Sequence, residues 1–544
     1  MGKKNKKKNK ISGMDKTVMK TEKKLTAKQK KELAALGEED IEKVIAEIER
    51  EESRRQRVLE AIVEHPSRRV NFTISSHPYK EELIIFGGEF HDGKQTIVYG
   101  DLFFYNLNKN EWKVVKAPNA PPPRCGHQAA VTNTDKGELW IFGGEFSSPS
   151  ESQFYHYKDL WVFRIGDKKW EKIIAAGGPS ARSGHRMAYF KKQLIIFGGF
   201  YDNLRDYKYY NDVYIFNIDT YKWHKIEPAG NAPCPRSGCM IFPTPDNKIL
   251  VYGGYSKEKV QKDIDKGHIH SDMFLLVPAK NDQTGLQWKW TSVKQTGAYV
   301  SPRCSATGIL VQPNMAYIFG GVYDEEESEE ELHGKFYNDL FALDLEKYQW
   351  HIVNLTGKRD QTASHKKKKP REKSNDKHDK MEDSDEGSNN ADNENDDIDS
   401  CKESPVITTP STNAIITEAL TNEDDIFTVT IGPKIASSSC KNEKLLKETL
   451  FLPCPRINPG LAIKRNILYL YGGLFEDENK EYTLNDFYAL DFRKQDEWKT
   501  IVSDDLSSQT WYESSSDTEQ DDDEEDDNSD DSSCETDENK METE

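Results

Sequence analysis

One short unit occurs six times in this chain, and the repetition constrains its fold more than any other feature. In each copy an apolar run ends in a Gly-Gly pair, and a tryptophan follows 24 to 36 residues later. The pairs are Gly87-Gly88, Gly143-Gly144, Gly198-Gly199, Gly253-Gly254, Gly320-Gly321 and Gly472-Gly473. The first four are spaced by 56, 55 and 55 residues. No unit of this size can bury its own apolar face alone, so the period predicts an array of stacked units.

Each unit predicts four short strands. The first follows a Pro-Arg or Ala-Arg pair, the second is the apolar run, the third alternates apolar residues after Asn-Asp or a similar pair, and the fourth holds the tryptophan. Alternation bounded by Gly, Asn, Asp and Pro is typical of strands, and Gly-Gly permits positive φ and close backbone approach. Six such sheets arranged radially leave only short, protected edges. The sequence therefore predicts an all-β, six-bladed propeller whose tryptophans pack between neighbouring blades.

The same motifs resemble those of a known family. The Gly-Gly pair, the YYNDVY type of third strand at 209–214 and the spaced tryptophan are similar to kelch repeats, and all six copies share the pattern. The resemblance implies a six-bladed kelch β-propeller. It implies no settled biochemical activity.

Composition changes sharply outside the repeats. Residues 1–31 hold 13 Lys against two acids, and residues 517–544 hold 16 Asp or Glu against one Lys. Blocks of like charge repel themselves and stay disordered, whereas apolar spacing from Ile41 to Val63 is typical of an amphipathic helix. We expect a basic disordered arm (1–37), an N-terminal helix (38–65), blades one to five (66–353), a disordered charged insert (354–452), blade six (453–503) and an acidic disordered tail (504–544). How the ring closes is left open by the pattern.

Several classes of protein are disfavoured by the sequence. No apolar run reaches 18 residues, so neither a transmembrane helix nor membrane association is expected. No convergent set of nucleophile, base and acid, no phosphate loop and no strong metal-ligand set is present, so we expect no enzyme, no catalytic residue, no metal and no cofactor. Eight scattered Cys fit a reducing compartment. The cytoplasm is expected, with the nucleus as a second compartment because HKKKKPREK at 365–373 has the composition of an import signal.

The loops between second and third strands are the candidate binding sites. Because the strands of a blade alternate in direction, these loops must share one face, where repeat scaffolds carry function. They are aromatic and basic in blades two to four but acidic in blades five and six. The candidate partner-binding residues are Tyr155, His156, Tyr157, Arg205, Tyr207, Tyr209, Tyr210, Tyr255, Lys257 and Lys262. Tyr and Arg are enriched where binding energy concentrates; the alternative is that some tyrosines only pack the loops.

These features predict a monomeric, non-catalytic scaffold or adaptor that binds a protein partner, preferably one with an acidic segment. The chain's own acidic insert or tail is a possible competitor for the same surface. One alternative is a substrate receptor of a ubiquitin ligase, which would need the N-terminal helix for docking. Another is a ribosome- or RNA-associated factor, in which the Lys-rich arm binds nucleic acid in a salt-dependent manner; this is the weaker expectation.

Overall fold

Six antiparallel sheets radiate around a central channel, and each is built from one copy of the repeat. The computed structural model describes residues 40–203, 206–261, 264–282, 284–326, 332–357, 450–477 and 480–506. In chain order the elements are helix α1 (Ile41–Arg54) and strands β1 (Leu59–Val63), β2 (Thr73–Ser76), β3 (Glu82–Phe86), β4 (Glu89–His91), β5 (Thr96–Val98), β6 (Leu102–Asn106), β7 (Glu111–Lys116), β8 (Gln128–Thr132), β9 (Glu138–Phe142), β10 (Glu145–Ser147), β11 (Phe154–His156), β12 (Leu160–Arg164), β13 (Lys169–Ile173), β14 (Arg186–Phe190), β15 (Gln193–Phe197), β16 (Phe200–Asp202), β17 (Tyr207–Tyr209), β18 (Val213–Asn217), β19 (Lys222–Ile226), β20 (Met240–Pro243), β21 (Ile249–Gln261), β22 (Ile264–Pro278), β23 (Trp288–Ser292), β24 (Thr296–Gly297), β25 (Thr307–Val311), β26 (Met315–Phe319), β27 (Val322–Glu326), β28 (Leu332–Phe336), β29 (Leu340–Asp344), β30 (Gln349–Ile352), β31 (Gly460–Lys464), β32 (Ile467–Asp477), β33 (Lys480–Asp491) and β34 (Lys499–Val502).

Each blade pairs its four main strands in chain order from the channel outwards. From inside to outside the blades are β2-β3-β6-β7, β8-β9-β12-β13, β14-β15-β18-β19, β20-β21-β22-β23, β25-β26-β29-β30 and β31-β32-β33-β34. Strands β1 and β24 add a fifth strand outside blades one and five. Every inner strand lies against the next around the ring, and β31 lies against β2. The predicted all-β, six-bladed propeller is thereby confirmed.

A buried arginine opens every blade. In blade three the Arg182 side chain donates to the Gly198 carbonyl at 3.0 Å and forms two hydrogen bonds with the Asp212 carboxylate. A bond to the carbonyl of the blade's first repeat glycine recurs from Arg69, Arg124, Arg182, Arg236, Arg303 and Arg456. A guanidinium taken out of water is costly unless it is paired and hydrogen-bonded, and these bonds supply that compensation.

The repeat tryptophans join neighbouring blades, as the sequence predicted. Each indole packs on the aromatic residue that precedes the Gly-Gly pair of the previous blade, with ring centroids 4.9 to 6.0 Å apart. The pairs are Phe86–Trp170, Phe142–Trp223, Phe197–Trp290, Tyr252–Trp350, Phe319–Trp498 and Tyr471–Trp112. Burial of such aromatic surface is a large contribution to the stability of each junction.

The Gly-Gly pairs let the backbones of adjacent blades touch. Gly87 has a φ of 69°, and a Cβ built on it would lie 2.5 Å from the carbonyl oxygen of Arg124 in the next blade. The Gly88 N–H donates to that same carbonyl at 3.0 Å. Any larger residue would therefore push blade two away, which explains why the pair recurs.

The ring closes without exchange of strands. Blade one takes its four main strands from residues 73–116, and blade six takes all of its strands from residues 460–502. The junction between them uses the same contacts as the others, because the Gly473 N–H donates to the Arg69 carbonyl at 3.3 Å. An additional ion pair between Arg68 and Asp504 spans this junction.

The N-terminal helix is shorter than predicted. Helix α1 is capped by the Asp40 side chain, which accepts the Glu42 N–H, and it ends at Arg54. The prediction of one helix over 38–65 is wrong beyond that point, because Leu59–Val63 pairs with β7 as an outer strand of blade one. These apolar residues fit either periodicity over so few positions, and the free edge of blade one decides in favour of the strand.

Hydrogen bonds connect the described residues on either side of 358–449 to the propeller. The Thr356 N–H donates to the Gln495 carbonyl at 2.9 Å, and the Asn338 amide donates to the Pro453 carbonyl at 3.0 Å. The predicted basic arm (1–37) and most of the insert (354–452) and acidic tail (504–544) lie outside the described residues. No helix among the described residues is long and apolar enough to cross a membrane.

We predict that Arg182→Ala lowers the free energy of unfolding by about 3–5 kcal/mol, because the change leaves the Asp212 carboxylate and the Gly198 carbonyl without their partner. Chemical denaturation of the purified chain measures it. The matched control is Arg493→Ala. The Arg493 side chain is 61% exposed and pairs with Asp491. That change is expected to cost less than about 1 kcal/mol. Equal losses in the two variants would contradict the structural role of the buried arginines.

Candidate functional site

All six loops between second and third strands form β-hairpins on one face of the propeller, called the hairpin face below. Blades one, two, three and five carry separate two-stranded hairpins, β4–β5, β10–β11, β16–β17 and β27–β28. In blades four and six the two central strands continue past Gly-Gly as ribbons. The six loops therefore share one face, as the sequence predicts, and together they are called the crown.

The ribbon of blade four, formed by the outer parts of β21 and β22, has the longest paired stretch among the described hairpins. Its pairing runs from Gly254 opposite His270 to Gln261 opposite Ile264. A strand of eight residues extends roughly 25 Å, so the ribbon projects well beyond the blade. Val260 near its tip is 57% exposed although it is apolar. The side chains from Lys257 to Val260 are all exposed, so this ribbon is accessible to a partner.

Two of the candidate tyrosines lie within the blades. The Tyr157 ring covers Arg124, with the guanidinium carbon 4.0 Å from the ring centroid, and its hydroxyl donates to the Pro123 carbonyl at 3.1 Å. Tyr210 covers Arg182 in the same way at 4.1 Å. Burial raises the pKa of the Tyr157 hydroxyl well above its usual range. Both rings thus shield a blade-opening arginine, and Tyr157 is fully buried.

Tyr155 and His156 connect parts of the crown to one another. Tyr155 contacts Tyr157 and packs with Ile41 and Ile45 of helix α1, which docks on blade two. His156 is buried between hairpins two and three, where its ring nitrogens contact the Ser183 hydroxyl at 2.8 Å and the Asp202 backbone. Burial lowers the pKa of His156 to about 4, so the imidazole is neutral at pH 7.

The remaining described candidates gather where hairpin three meets the ribbon of blade four. The Tyr209 ring lies 6.0 Å from the Tyr207 ring and 6.5 Å from the Tyr255 ring. The Tyr207 hydroxyl donates to the Asp265 carboxylate at 2.8 Å, which joins the two hairpins. All three rings are partly exposed, and Lys257 is exposed beside them. Arg205 and Lys262 lie outside the described residues.

Charge on the crown is more mixed than the sequence suggests. The ribbon alternates in sign, with Lys257, Glu258, Lys259, Asp265 and Lys266 all exposed. The His268 imidazole contacts Glu258 at 3.2 Å. A basic surface is therefore not the main feature of this part of the crown. Among the described residues, no group of three or more His, Cys, Asp or Glu side chains could hold a metal ion.

Further exposed acids lie in the next two blades of the crown. Asp324 lies in hairpin five, and Glu476 and Asp477 lie in the ribbon of blade six. Blade five adjoins blade four, and after burial and Cys304, Asp324 also raises the pKa of Tyr255, so these acids begin beside the aromatic cluster.

Two carboxylates at the centre of the face were missed by the sequence reasoning. Glu89 and Glu145 directly follow the Gly-Gly pairs of blades one and two, where other blades place apolar or aromatic residues. Glu89 accepts a hydrogen bond from the Asn71 amide at 2.6 Å, and burial raises its pKa. Burial, and then repulsion from Glu89, raise the pKa of Glu145 to about 8. Aligning the six repeats position by position would have found both residues.

The hairpin face opens into the central channel, a cavity of about 680 Å³ lined by the six inner strands. Six residues with φ between 45° and 61° surround its opening and are called the mouth ring: Asn71, Gly126, Gly184, Gly238, Ser305 and Asn458. The N–H groups of Gly126, Gly184 and Gly238 each donate to the mouth-ring carbonyl of the preceding blade at 2.8 to 3.0 Å. The opening is therefore rigidly framed by backbone.

Part of the chain is similar to known repeat proteins. Residues 71–282 match the family model described as the KLHDC2/KLHL20/DRC7 Kelch-repeats domain. The chain is 28% identical over 300 residues to Host cell factor of Drosophila melanogaster, an alignment that covers 51% of this chain but only 18% of that protein. It is 25% identical over 287 residues to N-(sulfonatooxy)prop-2-enimidothioate sulfolyase of Thlaspi arvense, which covers 50% of this chain and 75% of the relative.

Among solved structures, the chain is similar to the structure of YjhT, with 13% identity and a TM-score of 0.44. That similarity covers 80% of this chain and 98% of the other.

We predict that Glu145→Gln stabilises the protein relative to the parent chain increasingly as the pH rises. The folded pKa of about 8 exceeds the ordinary value of 4.5, so the parent is penalised progressively between these values, where the unfolded carboxyl ionises and the folded one does not. The difference in melting temperature should widen by about 2–4 °C between pH 5 and pH 8.5.

Differential scanning calorimetry in matched buffers measures this difference. Glu227→Gln, at a glutamate whose side chain is 79% exposed, provides the control and should show no such trend. A constant difference for Glu145→Gln across the pH range would show that burial does not control this carboxyl.

Proposed function

We propose that this kelch-repeat propeller is a non-catalytic interaction scaffold that binds a protein partner on its hairpin face. The kelch-repeat match and the kelch-like relatives support a protein-interaction role. The observation that carries the site is the cluster of Tyr207, Tyr209 and Tyr255, three partly exposed rings held together at the base of a projecting ribbon. Tyrosine supplies a large contact area with little loss of side-chain freedom, and it is enriched at binding hot spots.

The cluster is also suitably rigid for recognition. Tyr207 is fixed by its hydrogen bond to Asp265 of the neighbouring hairpin, and Tyr209 contacts Phe200, whose ring centroid lies 5.9 Å away. Groups that are already ordered lose less conformational entropy when a partner binds. The exposed Lys257 adds a cation next to the rings, and the ribbon edge adds unpaired backbone groups on which an extended peptide can align.

An enzymatic role is less well supported. One relative is named as a sulfolyase, but its identity to this chain is 25%, and a shared propeller does not transfer a reaction. A ligase-receptor role is also weakened, because Ile41 and Ile45 of helix α1 are already buried against blade two. The helix thus has less apolar surface to offer a further protein. We propose the cytoplasm as the compartment, with the nucleus as a second one.

We predict that the double change Tyr207→Ser and Tyr255→Ser weakens partner binding by about tenfold or more, because truncation of a hot-spot ring costs about 2 kcal/mol. Quantitative affinity capture of the full chain, followed by measurement of Kd with each recovered partner, tests this. Tyr79→Ser is the matched control, since Tyr79 is 57% exposed in a turn on the opposite face. If every partner binds the double variant and the control equally well, the aromatic cluster is not the binding site.

A further inference from the structure

A single arginine stands in the wall of the channel just inside the mouth ring. Arg186 is the first residue of β14 and lies two positions after Gly184 of the mouth ring. It lines the channel cavity together with the residues that begin the other inner strands, which are Thr73, Gln128, Met240, Thr307 and Gly460. One cation therefore stands on a level of the channel where five blades present neutral residues.

Among the described residues, this guanidinium makes neither the bond to a repeat-glycine carbonyl that all six blade-opening arginines make nor the carboxylate pair that five of those six have. Arg182, four residues earlier, bonds both oxygens of Asp212. Arg186 donates one hydrogen bond, from Nη1 to the carbonyl of the adjacent His185 at 3.2 Å, and no carboxylate among the described residues pairs with it. Burial lowers the pKa of Arg186 from its ordinary value. A partly buried, unpaired charge is unfavourable, and an anion placed beside it would remove that cost.

The one carboxylate in the described lining of the cavity does not neutralise Arg186. Glu145 lies instead against hairpins two and three, with one carboxylate oxygen 3.3 Å from His156. Neutral groups that could donate further hydrogen bonds do line the cavity, and they include the Thr307 hydroxyl and the Gln128 amide. The channel mouth is therefore locally suited to a negative ligand.

Access from the hairpin face to the level of this arginine is open over the neighbouring blade four. The mouth-ring residues of blades three and four are Gly184 and Gly238, which place no side chain over the opening. A Cβ built on Gly238 would meet no atom within 4 Å, whereas one built on Gly184 would lie 3.1 Å from the Phe200 ring, so the clear approach is over blade four. A side chain that approaches through the crown can consequently reach the channel level at which Arg186 lies.

We infer that Arg186 anchors an acidic peptide segment, whose Asp or Glu side chain enters the channel mouth from the hairpin face and pairs with the guanidinium. The inference rests on the proposed function and specifies the chemistry of the partner. A guanidinium matches a carboxylate with two parallel hydrogen bonds, which a surface lysine cannot do. The ribbon of blade four carries both positive and negative side chains, so it offers an acidic partner little net attraction. Arg186 in the channel supplies the cation instead. The acidic segment can belong to a partner or to this chain's own tail.

The test is the binding of a labelled peptide with the sequence of residues 517–530 to the full chain, measured by fluorescence anisotropy. Arg186→Gln should weaken binding by about 10- to 100-fold, because hydrogen bonds to charged groups contribute this much. The matched control is Arg493→Gln, which removes the same charge from an exposed site on the opposite face and should change affinity little. A peptide with Asn and Gln in place of every Asp and Glu should not bind.

Two further measurements separate a binding role from a structural one. Arg186→Gln should melt at the parental temperature or above it, since it breaks no ion pair, and Arg186→Lys should recover only part of the affinity. Deletion of residues 507–544 distinguishes the two sources of the segment. Tighter peptide binding after deletion identifies the tail as the resident ligand, and unchanged binding assigns the site to a partner.

Three outcomes would overturn the inference. They are equal weakening in Arg186→Gln and Arg493→Gln, unaltered binding in Arg186→Gln, and no binding of the acidic peptide to either the full chain or the tail-deleted chain. None of these tests the aromatic cluster. A partner that is lost with Tyr207→Ser and Tyr255→Ser but retained with Arg186→Gln would preserve the proposed function and refute the role of Arg186.

Discussion

The bond from a buried arginine to the carbonyl of the first repeat glycine is the interaction on which the rest of this propeller depends. It fixes the turn that ends the second strand, and the bends at Gly-Gly then place the backbone of one blade on that of the next. The aromatic residue just before the pair receives the tryptophan of the following blade. One short motif thus defines the blade, its junction and the point from which each hairpin departs.

This arrangement makes one side of the propeller suited to the proposed interaction. The blade-opening arginines, the glycine pairs and the mouth ring all lie at the hairpin end of the sheets, so hydrogen-bonded backbone surrounds the channel opening. The hairpins above it differ in length and sequence without disturbing the ring. A rigid frame with variable loops is a common basis for recognition, and here the frame carries Arg186 while the loops carry the tyrosine cluster.

Much of the fold could be predicted because its signals are local and repeated. The Gly-Gly pairs and the tryptophans recur with a fixed chemistry, so six imperfect copies support one another. The fate of Leu59–Val63 could not be predicted, because it depends on the free edge of a blade more than forty residues away. The burial of Tyr157 was hidden for a similar reason, since its partner Arg124 lies 33 positions earlier. Arg186 resembles any other arginine in sequence, and what distinguishes it is its place in the channel wall together with the lack of a carboxylate partner among the described residues.

The position of blade six depends on contacts rather than on the continuity of the chain. Its tryptophan packs on blade five, its aromatic residue packs on blade one, and both ends of the preceding gap are hydrogen-bonded to the ring. Since no strand is exchanged at closure, the covalent order of the blades is not what holds the circle together. The same six blades would therefore pack in the same order if the chain began at a different blade. A cleavage between residues 358 and 449 would leave two fragments that still form one ring, and a rearranged chain that starts at blade six would encode the same circle.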